Sequence, residues 1–128
     1  MADPGFALQR AIYQRLSAEL TVPVFDAVPD DTLYPYVTID REVAQNTSPI
    51  SGRKRKQRLI YLSVWSDHQG QAEVRRILNE IDAALDERHL SVDEGRAVSV
   101  RVIASDTNRE PDGRTYMGSA TVRVITTS

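Results

Sequence analysis

From Leu59 to Trp65 the chain alternates: Ile60, Leu62 and Val64 occupy every second position, with Tyr61, Ser63 and Trp65 between them. A period of two with β-branched and aromatic residues specifies an extended strand with one face that must be covered. The pattern recurs three times. Val37, Ile39, Arg41 and Val43 alternate with Tyr36, Thr38, Asp40 and Glu42. Val98, Val100, Val102 and Ala104 alternate with Ser99, Arg101 and Ile103, and Ala120, Val122 and Val124 with Thr121, Arg123 and Ile125. Shorter apolar stretches at Val22–Val28 and at Leu90 and Val92 predict minor strands.

The cover comes from two stretches with helical spacing. Leu8, Ile12, Leu16 and Leu20 recur every four residues with Ala11 beside them, Asp3 placed as a cap and Pro4 in the first turn. Pro23 ends that pattern, since proline cannot continue a helix. A second helix is predicted from about Gln71 to Glu87, with Val74, Ile77, Leu78, Ile81, Ala84 and Leu85 as its apolar stripe. Two stripes and one sheet face make an α+β domain, a largely antiparallel sheet with both amphipathic helices packed on one face. At 128 residues the chain forms one domain, residues 1–128, burying roughly two-thirds of its unfolded surface. Trp65 and Tyr61 share a strand face, read first as core beneath a helix and second as an anchor for a partner.

Between the second and third predicted strands, residues 44–52 are polar and turn-forming, and a basic run follows. Arg53, Lys54, Arg55, Lys56 and Arg58 are five of the sixteen basic residues; the remainder of the chain holds eleven against eighteen acidic. The flanking strands predict a long projecting β-hairpin, reaching roughly 25 Å if about eight residues per side pass beyond the core. Its basic residues suit nucleic-acid phosphates or an acidic neighbouring subunit. No aromatic interleaves them, which argues against a base-stacking platform.

Sites of chemistry are scarce. The chain has no cysteine, so thiolate metal sites, disulfides and a Cys nucleophile are excluded. His68 and His89 match no metal-ligand spacing. Asp26, Asp30 and Asp31 fit a solvated turn better than a calcium loop. The six glycines form no phosphate cradle, and no serine has a nucleophile-elbow context. These residues predict no catalytic set, cofactor or metal. No apolar run approaches the ~18 residues of a membrane helix, and the acidic N-terminus does not read as a signal peptide.

In order, these features resemble the tail-completion, or tail-terminator, family of long-tailed phages and gene transfer agents. The resemblance runs through Ala-Leu-Gln-Arg-Ala-Ile-Tyr-Gln-Arg-Leu at 7–16, Val-Phe-Asp-Ala-Val-Pro-Asp at 24–30 and Tyr34-Pro35-Tyr36-Val37-Thr38-Ile39. It continues with Leu-Ser-Val-Trp-Ser at 62–66 and Arg-Glu-Pro-Asp-Gly at 109–113. Each motif is short; the order and spacing carry the match. The resemblance implies a non-enzymatic virion protein, assembled in the host cytoplasm into a ring typically of six copies. That ring would cap the head-proximal end of the tail tube, stop its growth and meet the head connector or stopper protein. Arg53, Lys54, Arg55, Lys56 and Arg58 would then face a neighbouring subunit, the tube or DNA in the channel. The alternatives are another head–tail adaptor or tail-tube component, a small nucleic-acid-binding module and, without residue-level support, an enzyme.

Overall fold

A computed structural model describes residues 4–46, 55–67, 71–87, 96–110 and 114–127. Helix α1 (Pro4–Glu19) precedes a two-residue strand β1 (Val24–Phe25) and the long strands β2 (Tyr36–Asn46) and β3 (Arg55–Ser66). Helix α2 (Ala72–Leu85) follows, then β4 (Arg96–Arg109) and β5 (Tyr116–Thr127). The sheet order is β1-β2-β3-β5-β4, antiparallel except where β1 runs parallel to β2. The architecture is the expected α+β arrangement. The predicted strand at Leu90 and Val92 and the hairpin tip at 47–54 lie outside the described residues.

Both helices cover one sheet face. Leu8, Ile12 and Leu16 of α1 and Val74, Ile77 and Ile81 of α2 share one core with Val37, Ile39, Ile60, Leu62, Val64, Val122 and Val124. Each apolar stripe exists because residues spaced three or four apart stack on one helix face. The helices are also fastened to each other: Arg15 Nη1 donates to the Ala84 carbonyl at 3.1 Å. Glu80 accepts from both the Thr21 backbone N–H, at 2.8 Å, and the Thr21 hydroxyl.

The strands outrun this cover. At about 3.3 Å per residue β3 is roughly 40 Å long, against about 21 Å for α2. The hairpin of β2 and β3 is paired from Tyr36↔Trp65 to Asn46↔Lys56. On its other side β3 is paired with β5 over its whole length, from Arg55↔Thr127 to Ser66↔Tyr116. The basic end of β3, from Arg55 onward, is therefore an interior strand of the sheet.

Three register shifts interrupt simple alternation, one in β2 and two in β4, the earlier of those in β4 between Ala97 and Ser99. The register of β2 shifts between Ile39↔Leu62 and Arg41↔Tyr61, which makes Asp40 the extra residue of a bulge. Asp40 holds its place by accepting hydrogen bonds from Thr38 Oγ1 at 2.8 Å and from Ser63 Oγ. Past it the faces exchange. Glu42, opposite Ile60, turns to the helix side, and Arg41 and Val43 turn away, contrary to the sequence expectation that both continue the Val37 and Ile39 row. In β4 the shift between Val102 and Ala104 makes Ile103 the extra residue and leaves it 47% exposed.

Strand β4 is an edge, and α2 seals part of it. Asp86 Oδ1 accepts from the Val102 N–H at 2.9 Å, and the Glu87 N–H donates to the Val100 carbonyl at 2.8 Å. At the other end of α2, the Thr107 hydroxyl meets Gln71 Oε1 at 2.7 Å. Between these ties α2 passes close over Gly118, where a β-carbon would lie 2.5 Å from Val74 Cγ1 and 3.0 Å from Leu78 Cδ1. Gly118→Ala should therefore destabilise the domain by about 1–3 kcal/mol through overpacking. Urea unfolding should show this as a lower midpoint at unchanged slope, partly recovered by Val74→Ala in the same chain.

Candidate functional site

The basic segment divides when it is followed along β3. Arg53 and Lys54 lie outside the described residues, and Arg55 opens the strand opposite Thr127. Lys56 is exposed. Arg58, two residues on, shares the helix-covered face with Ile60 and is only 2% exposed. Its Nε donates to Thr126 Oγ1 at 3.2 Å, and its Nη1 meets Glu42 Oε1 at 3.3 Å. A buried guanidinium needs such partners, because its desolvation is otherwise uncompensated. The Asp40 bulge supplies one of them by turning Glu42 inward. Adjacency in sequence grouped Arg58 with the surface cations; strand alternation separates it from Gln57 and sets it inside the fold.

The opposite face of the sheet is covered by neither α1 nor α2. Tyr61 and Trp65, read first as core, lie here, because the helices cover Ile60, Leu62 and Val64 instead. Trp65 Nε1 donates to Thr38 Oγ1 at 3.4 Å, and the Arg41 guanidinium sits 4.6 Å over the Tyr61 ring. Toward β5 and β4 the face becomes basic: Arg123 stands between Leu59 on β3 and Arg101 on β4. Like charges directly opposite across a strand pair are unfavourable. Neither arginine has an ion pair or side-chain hydrogen bond among the described residues, and Arg123 Nε is buried without an acceptor.

A third feature escaped the sequence reading, which took Asp26, Asp30 and Asp31 as a solvated turn and Val22–Val28 as a minor strand, of which only Val24–Phe25 is extended. The loop from Asp26 to Pro35 is braced at its base by aromatic rings. Phe25 packs edge-on against Tyr36 at 6.0 Å, and Tyr34 stacks on Tyr36 at 5.3 Å. Burial raises the Tyr36 hydroxyl pKa, and the neighbouring Tyr34 adds to the shift through charge and hydrogen bonding. Thr32 Oγ1 donates to the Pro29 carbonyl, and Asp31 takes a φ of 65°, a left-handed conformation that Asp tolerates better than most residues. The loop presents Leu33, 84% exposed, beside exposed Asp30 and Asp31. The available signal was a leucine standing alone in a turn of aspartates.

Little here suits catalysis. A cleft of about 100 Å³ between α1 and β2 is lined by Gln9, Ile12, Asp26, Ile39, Asp40 and Glu42, among others. It brings no nucleophile to a base. Among the described residues no group of three His, Cys, Asp or Glu side chains is placed to hold a metal, and no helix is long and apolar enough to cross a membrane. His68 and His89 lie outside the described residues.

A family model described as tail completion protein gp17 matches residues 10–127. The fold also matches a chain from a structure titled "Virion of native gene transfer agent (GTA) particle". That match has a TM-score of 0.87 and 24% identity, and covers 100% of both chains. Comparison with curated proteins gives no match.

The two described basic side chains should respond differently to mutation. Glu42→Ala leaves the Arg58 charge with one partner fewer and should cost about 1–3 kcal/mol, moderated by the partial exposure of Glu42. Lys56→Ala should stay within about 0.5 kcal/mol of the parent. Denaturant midpoints of the two variants, measured side by side, check the division.

Proposed function

We propose that this chain, which belongs to the tail-completion protein family, closes the head-proximal end of a tail tube as a ring of six copies. In that position it stops tube growth and offers a seat to the head connector. The observation that carries the proposal is the family match over residues 10–127, nearly the whole chain. Its fold agrees end to end with that of a chain from a gene transfer agent virion, and we extend that setting, a tailed particle, to this protein.

The physical construction suits such a part. A closed ring requires each subunit to carry two different, mutually complementary surfaces. This subunit has a bare sheet face on one side of its core and, beyond β1, a braced loop with an exposed apolar tip. Its work is structural, done by contacts with copies of itself, with the tube and with the connector. Arg53, Lys54, Arg55 and Lys56 serve the contact at the hairpin tip, toward acidic tube subunits or toward DNA passing through the channel. Arg58 contributes by holding the base of that hairpin.

Electron microscopy of particles assembled without this gene provides the test. Overlong or ragged tubes beside unjoined, DNA-filled heads are expected. Normal-length tails on intact particles would overturn the reading, and joined particles with tubes of uncontrolled length would indicate a tube-length role without the joint.

A further inference from the structure

The open sheet face has an unmet electrostatic need. Arg101 and Arg123 oppose each other across β4 and β5, and the buried Arg123 Nε has no acceptor. Buried donors in native proteins are almost always satisfied, so an orphan of this kind asks for an explanation. The surroundings are those of an interface core rather than a nucleic-acid track. Leu59 pairs with Arg123, Tyr61 pairs with Thr121, and Ile125 lies two residues beyond Arg123 on the same face. Aromatic side chains and arginine set among apolar ones mark protein contacts.

The same chain carries the complement. The 26–35 loop offers Leu33 at 84% exposure with Asp30 and Asp31 beside it, on a base stiffened by the Tyr34–Tyr36 stack. It cannot serve its own subunit's arginines. The loop leaves the sheet at β1, one edge, whereas Arg123 and Arg101 sit on the last two strands at the other. Three and four strand spacings separate them, about 14 and 19 Å.

We propose that the 26–35 loop of one copy docks on the open sheet face of the next. Leu33 seats among Leu59, Tyr61 and Ile125, and Asp30 and Asp31 face Arg101 and Arg123. The donor surface lies at one flank of the subunit and the acceptor at the other, so the contact is heterologous and repeats around a closed path. This inference rests on the ring reading above and assigns its subunit interface.

Because the chain has no cysteine, an introduced pair reports on this contact alone. Particles assembled from a chain carrying Leu33→Cys and Thr121→Cys, then oxidised, should yield a ladder of covalent oligomers rising past the dimer and collapsing under reductant. Either substitution alone should yield only monomer. A charge exchange gives a second readout: Arg123→Glu and Asp30→Lys should each lower incorporation into particles on the order of tenfold, and the double variant should restore it. Asp30 is chosen over Asp31 because the positive φ of Asp31 would add backbone strain of its own. A chain present in particles but giving no ladder, or a ladder that ends at the dimer, overturns the proposed interface while leaving the ring. Absence of the unsubstituted chain from the particles overturns the ring reading as well.

Discussion

Everything else in the fold hangs on the pairing of β3 with β5, which runs from Arg55↔Thr127 to Ser66↔Tyr116 in unbroken register. These two strands have no bulge, so their alternation is exact in face: Ile60, Leu62, Val64, Ala120, Val122 and Val124 all turn one way and all are buried. Their outer neighbours β2 and β4 absorb the irregularities. Helix α2 is then placed by a glycine on β5 and by hydrogen bonds to β4 at both ends, and α1 is placed by α2. Removing the central pair would leave two helices with stripes and nothing to lay them on.

That hierarchy explains which parts of the sequence could be read. The helices were legible because Leu8, Ile12 and Leu16, or Val74, Ile77 and Ile81, state a helical period without exception. The central strands were legible for the same reason with a period of two. Reading failed past Asp40, where alternation continues in the sequence but the backbone takes one extra residue. Arg41 and Val43 thereby changed faces with Glu42, and nothing in residue type announces the event: it depends on Thr38 and Ser63 offering hydroxyls to Asp40 across two strands. The placing of Arg58 was lost with it, since its burial makes sense only once Glu42 has turned inward. Trp65 was misplaced for a different reason. Its face was known, but which of two half-apolar faces the helices choose is a tertiary decision.

The sheet is thus unequal on its two sides. One sheet face is closed by two helices and is complete as it stands. The other carries aromatic rings and two arginines, Arg101 and Arg123, without an ion pair among the described residues, and the loop after β1 carries exposed carboxylates and a leucine. A protein that works alone gains nothing from either exposure. A protein whose work is to stand in one defined place within a larger assembly gains a means of being oriented, because both surfaces are asymmetric and each fits only one kind of neighbour.

Strand β5, which lies between β3 and β4 in the sheet, is also the last of the described elements in chain order. A chain emerging from the ribosome has α1, the β2–β3 hairpin and α2 in hand well before the strand that joins β3 to β4 exists. Until it arrives, Val74 and Leu78 have no Gly118 to lie against and β4 has no partner. Contacts so distant in sequence close late and together. The nascent chain therefore lacks a finished sheet face until β5 has emerged, and the fold acquires its shape only in a closing step that waits for that strand.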